Sequence, residues 1–355
     1  MAMDHVDISR RGFVGSIGLA MAAGAAVPGW AGAGMWTGDD HGEPPAEGGA
    51  AYFEWSEVRP GIWVAIGGGG NVLACAPEGG GRKRGLVVDT KNGGLGLILK
   101  NEAEARLGTD IWAAVNTHHH GDHVGGNSVF TPMRVFAHER AQARVRSMNR
   151  MLRDRVFGMT DAVMNDAAQS DAVKAWAREE RKSMDRIDAE DFVPTHAMGK
   201  VGVVERLPIV PDLPVEVRHF GAGHTDTDVV LRFEDDNVLH VGDLVFNGLH
   251  PFVDPDGGAT VRGWVKSLRE CEKLCDAETV VVPGHGPVGD VEIVRGQIGY
   301  LESLIEAVRA EIDAGVPVEE AAEKSWAFMD GLGFERIRPR AIAGVYAELE
   351  RESGD

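Results

Sequence analysis

Cysteine is scarce in this chain of 355 residues, with Cys75, Cys271 and Cys275 as the whole complement. Cys271 and Cys275 fall on successive turns of a helix expected over about 262–276, where Trp264, Leu268, Cys271 and Cys275 share one face. Positions so related are poorly oriented for a disulfide, and both read as small core residues. Cys75 closes the strand-like Asn71-Val72-Leu73-Ala74-Cys75 and reads as core too. Basic side chains are also in deficit, with 36 Lys and Arg against 55 Asp and Glu and a formal net charge of -19. Such acidity disfavours phosphate backbones and argues against a nucleic-acid partner. Long apolar runs are missing as well. Nothing beyond the N-terminal region is long enough to cross a bilayer, so no stable membrane insertion of the mature protein is expected.

What the chain does have is a concentration of imidazole and carboxylate. Thr117-His118-His119-His120-Gly121-Asp122-His123 comes directly after the apolar run Ile111-Trp112-Ala113-Ala114-Val115, which reads as a buried strand. Neutral imidazole nitrogen and carboxylate oxygen are the ligands taken by a divalent transition metal of borderline softness, and catalytic zinc sites keep an open water position. A lone histidine is usually a surface or hydrogen-bonded core residue. Groups crowded this closely raise each other's protonation cost unless a cation offsets it, so the cluster reads as a metal site.

The register His118-x-His120-x-Asp122-His123, followed by Gly125-Gly126-Asn127, resembles the signature of the metallo-β-lactamase superfamily and particularly its glyoxalase II-type hydrolases. Three later motifs are similar to the family's remaining ligand positions, in order. Gly223-His224-Thr225-Asp226 follows a strand-like stretch at 215–220, Gly242-Asp243 follows another at 238–241, and Pro283-Gly284-His285-Gly286-Pro287 follows Val280-Val281-Val282. The resemblance implies that His118, His120 and His224 hold one divalent metal and that Asp122, His123 and His285 hold a second, with Asp243 bridging. Zinc is the first expectation for both, iron or manganese the others. Two such ions would share a water, lower its pKa towards neutrality so that a metal-bound hydroxide attacks a carbonyl, and hold the oxyanion that forms. Asp122 is then expected as ligand and as proton shuttle. Each ligand is expected just past the C-terminal end of a strand, where loops converge.

Relatives that are true β-lactamases carry cysteine or serine where Asp243 stands. The resemblance therefore implies a small ester, thioester, lactone or lactam substrate ahead of an antibiotic. Sulfur-oxidising relatives that activate dioxygen at a single iron are the alternative class, and an antibiotic hydrolase is the second alternative. Asp89 is a candidate to orient a ligand histidine, and Phe246, Asn247 and His250 are candidates to face substrate. Gly67-Gly68-Gly69-Gly70 reads as a hairpin turn, which in the family overhangs the metals.

Ser9-Arg10-Arg11-Gly12-Phe13-Val14 matches the twin-arginine export signature, and a Gly/Ala-rich apolar stretch over 15–27 leads to Ala31-Gly32-Ala33. Residues 1–33 are read as a signal peptide that engages the twin-arginine machinery and delivers the protein to the periplasm or another exported location. Its removal takes Asp4 and Asp7 with Arg10 and Arg11 and leaves the charge at -19. Residues 34–50 read as a linker and 51–355 as one domain, because the ligands span 118–285. That domain is expected to carry a helical insertion at about 139–192, packing on the body rather than forming a lid, and covering helices at about 290–355. The resemblance implies an α/β fold, a four-layer αββα sandwich with extra C-terminal helices and the site in the cleft between its sheets.

Overall fold

Short runs of Val, Ile, Leu and Ala set the strands, and their burial tells which face each serves. The computed structural model describes residues 51–76, 84–207 and 214–354. The export signal and linker expected over 1–50 lie outside the described residues. β1 (Glu54–Arg59) is a largely exposed edge strand, and it pairs antiparallel with β2 (Ile62–Ile66), followed by β3 (Val72–Cys75) and β4 (Gly85–Val88). β5 (Ile111–Val115), β6 (Arg134–His138) and β7 (His196–Met198) then add parallel to β4, completing a seven-stranded sheet in chain order. Near-continuous apolar sequence suits such parallel strands, which are covered on both faces.

The second sheet has the order β12-β11-β10-β9-β8, built from β8 (Glu205–Arg206), β9 (Val215–Arg218), β10 (Val230–Phe233), β11 (Val238–Phe246) and β12 (Val280–His285). Only β11 and β12 run parallel. Their crossover is the amphipathic α6 (Val261–Glu272), numbered after α1 (Gly96–Leu107), α2 (Gly121–Val124), α3 (Asn127–Phe130), α4 (Ala141–Asn165) and α5 (Asp171–Ser183). α7 (Val291–Asp313), α8 (Val318–Ala322) and α9 (Arg338–Gly354) follow β12.

Three buried clusters define four layers. Val64, Leu73, Leu86 and Val115 meet Val217, Leu231, Val238 and Val282 between the sheets. Leu99, Val163 and Val173 cover the outer face of the first sheet. Trp264, Leu268, Leu301, Ile342 and Val345 cover the second. Each fully buried side chain of this size contributes about 1.5–3 kcal/mol. The insertion belongs to these layers. Glu180 of α5 is buried and accepts from the backbone N–H of Gly94 and Leu97, at 2.9 and 2.8 Å, where α1 begins. Leu152, Val156 and Phe192 pack with Val124 of α2.

Three boundaries differ from the sequence reading. The helix expected to reach residue 276 ends at Glu272, so Cys275 lies beyond it and is half-buried, whereas Cys75 and Cys271 are core. β11 and β12 also run through Asp243 and His285 rather than stopping before them. Leu244, Val245 and Phe246 continue the outer core and hold the backbone in the sheet. A register shift at Gly242, whose φ of 54° is left-handed, marks Asp243 off from the regular ladder.

Candidate metal centre

β5 ends at Val115, and the buried Asn116 and Thr117 lead straight to His118 and His120. Asn116 and Asn127 exchange side-chain hydrogen bonds of 3.0 and 2.9 Å, and Thr90 Oγ1 lies 2.9 Å from Asn127 Oδ1, so this turn is fixed from behind. Asp122 and His123 then ride on α2. His224 comes from the loop after β9, Asp243 from β11 and His285 from the end of β12. All seven expected ligand positions converge in the cleft between the sheets.

His224 Nε2 lies 2.9 Å from His120 Nδ1, and Asp243 Oδ2 lies 3.4 Å from His224 Nε2 and 3.7 Å from His118 Nε2. On the other side, His285 Nε2 is 3.3 Å from Asp122 Oδ2 and 3.4 Å from His123 Nε2. Asp243 reaches this group as well, with Oδ1 at 3.1 Å from His123 Nε2 and Oδ2 at 3.4 Å from His285 Nε2. Donor atoms of His118, His120, His224 and Asp243 fall within 4.8 Å of one another, and so do those of Asp122, His123 and His285. His118 Nε2 is buried without a hydrogen-bond partner. A buried acceptor left unpaired is costly, and a cation among these atoms satisfies it, so the donor set fits a metal.

The electrostatics show what the cluster does with protons alone. Burial, reinforced by His123, holds His118 well below the usual histidine range, and burial takes His224 down to about 3. Burial also works against charge on His123 and His285, but Asp243 with its companion carboxylates outweighs it. His123 is held well above its ordinary value and His285 is raised to about 9. Asp122 and Asp243 stay far below the carboxylate range, because neighbouring imidazoles overcome their burial.

Supporting groups surround the donors. Asp89 accepts from Thr117 N and Oγ1 at 2.7 and 2.8 Å, and its Oδ2 lies 2.7 Å from His123 Nδ1. Asp254 performs the matching service on the other side, with Oδ2 at 2.9 Å from His120 Nε2. Phe246 stacks on His285 with ring centres 5.2 Å apart, and Phe252 stands edge-on to His120 at 5.5 Å. Asn247 works in the backbone frame, its side chain donating to Pro287 O and its N–H to His285 O. His250 does not join the donors. It is buried with Nδ1 at 2.9 Å from Tyr300 Oη, because the chain turns there towards the C-terminal helices.

The covering segment, in which the sequence suggested no chemistry, supplies two side chains here. Phe334 stands edge-on to His285 at 5.8 Å, and the Arg340 guanidinium lies 4.3 Å over Phe252 and 3.6 Å from Asp254. Lys91 was also missed. No local pattern announces it, although it sits two positions after Asp89.

A double β-sheet sandwich with helices outside thus carries, in its cleft, a His/Asp donor cluster able to hold metal. The chain belongs to the metallo-beta-lactamase superfamily, whose family model matches residues 79–285. Metallo-beta-lactamase type 2 of Bacteroides fragilis is 25% identical over 116 residues, which are 32% of this chain and 45% of that relative, so the match spans less than half the relative's length. Among solved structures, a metallo-beta-lactamase from Pontibacter korlensis is 16% identical, covering 70% of this chain and 99% of that one with a TM-score of 0.50. One from Hirschia baltica is 17% identical, covering 70% and 97% with a TM-score of 0.49.

Proposed function

We propose that the chain is an exported, binuclear, zinc-dependent hydrolase of a small ester, thioester, lactone or lactam. The observation that carries this reading is the position of the Asp243 carboxylate, within 3.1–3.7 Å of imidazoles from both donor sets. His118, His120 and His224 would hold one cation, Asp122, His123 and His285 the other, and Asp243 both. Such a pair supplies an acidified water as nucleophile and positive charge for the oxyanion that develops on the substrate carbonyl. Asp122 is the most open of the carboxylates, its side chain 26% exposed against 4% for Asp243, and it passes the proton to the leaving group. Phe246, Phe252 and Phe334 wall the cleft and keep bulk water from the reacting carbonyl.

Asp122→Ala tests the mechanism. Turnover on an ester, thioester, lactone and lactam panel is expected to fall by about 100-fold or more, and undiminished turnover rejects it. A single-iron oxygenase remains the second reading, because His118, His120, His224 and Asp243 already form a complete group by themselves. Elemental analysis of protein purified without added metal separates the two, with two zinc ions per chain expected for the hydrolase and one iron for the alternative. Export is read from Arg10 and Arg11. Replacing both by Lys is expected to leave the precursor in the cytoplasm, and unimpaired export rejects twin-arginine transport.

A further inference from the structure

Lys91 is among the largest fully buried side chains of the protein and has no ion-pair partner among the described residues. A buried ammonium is expensive unless its donors are used. Here Nζ donates to Ala65 O and Gly70 O, both at 2.8 Å, and lies 5.1 Å over the ring of Phe53. Ala65 and Gly70 flank the tip of the glycine hairpin between β2 and β3, so one amino group ties its two sides together. The residue holds this place with a left-handed φ of 68°, a conformation that costs any residue with a side chain.

The hairpin is seated on the second donor set. Gly70 N donates to Asp122 O at 3.2 Å, and any Cβ at Gly70 would collide with the His123 ring. The next residue, Asn71, donates from its backbone to Gly284 O at 2.7 Å and from its side chain to Pro283 O and Gly286 O, the backbone around His285. The segment that Lys91 closes therefore touches the backbone or side chains of Asp122, His123 and the His285 loop. Among the described residues, no hydrogen bond joins this segment to His118, His120 or His224.

We propose that Lys91 is a positioning residue for the second donor set, its buried amino group pinning the glycine hairpin onto Asp122, His123 and the His285 loop. The inference rests on the two-cation reading above. Wild type, Lys91→Met and Lys91→Gly are compared as full chains by zinc titration against a competing chelator and by amide hydrogen exchange over 66–71. In Lys91→Met the second zinc is expected to weaken by about tenfold or more while the first keeps its affinity, as for loss of a supporting group. Exchange at Gly70 and Asn71 is expected to accelerate while β5 stays protected. Unchanged exchange, or an equal loss of both zinc ions, overturns the proposal. If Lys91→Met does not fold, Lys91→Gly carries both readings, since it removes the amino group and relieves the left-handed backbone. A wild type that takes a single zinc overturns the two-cation reading and the metal half of this proposal. Accelerated exchange would then still identify Lys91 as the pin of the hairpin, and unchanged exchange would remove that as well.

Discussion

Asp89 holds two things at once, the backbone of Thr117 and the ring of His123. Asp89→Asn keeps the shape but loses the charge that favours a basic, correctly turned imidazole, and zinc affinity is expected to fall about 10–100-fold by chelator competition. Protons compete for the same atoms. With His285 at about 9 and His123 well above its ordinary value, these two imidazoles of the cation-free cluster are protonated near neutrality, so binding releases protons and affinity rises with pH. Titrations at pH 6, 7 and 8 are expected to show steadily tighter zinc, and a flat series would reject the assignment of these imidazoles as ligands. The side chains that converge as donors were legible in the sequence because their types cluster within a few residues or follow short strand motifs. Asp254 and Lys91 were not, since one meets His120 across 134 positions and the other meets Gly70 across 21.

Helix α5 shows how one buried carboxylate fastens an element. Burial pushes Glu180 up to about 7, although the N–H groups of Leu97 and Gly94 favour its charge. Between the ordinary glutamate value of 4.5 and about 7 the folded state keeps a proton that the unfolded chain has released. The resulting stability is full below the lower value and is lost as pH rises through the upper one, a difference of up to about 3 kcal/mol. Denaturant unfolding of wild type and Glu180→Gln at pH 5 and pH 8 checks this, the wild type being expected to gain relative to the variant at pH 5. A difference independent of pH would show that Glu180 stays ionised. The apolar run Ile111–Val115 gave β5 its observed limits. The ends of β11 and β12 escaped because Gly242 and Pro283-Gly284 look like breaks, while pairing along the core decides the backbone.

The sandwich was legible through the family resemblance that the ordered motifs carry, periodicity alone giving only mixed α/β, but the contribution of the last fifty residues was not. Amphipathic periodicity in α9 shows that it covers something, and only the packing of Ile342 and Val345 against the second sheet carries Arg340 to Phe252. Zinc at about a hundredfold excess over its Kd is expected to stabilise the folded chain by about 2.7 kcal/mol, visible as a rise in Tm that a chelator reverses. An unchanged Tm would mean that the cluster does not load. The donors are divided between the sheets, four following β5 and three lying on the second sheet or its loops. Neither half owns a complete grip on a cation. The proposed metal centre is thus also the seam between the two sheets, where a bound cation would act as a rivet. A chain severed between the two sheets would be rejoined by the apolar core between them and gripped more tightly when zinc is supplied, and a chelator that empties the cluster would also loosen the halves from each other.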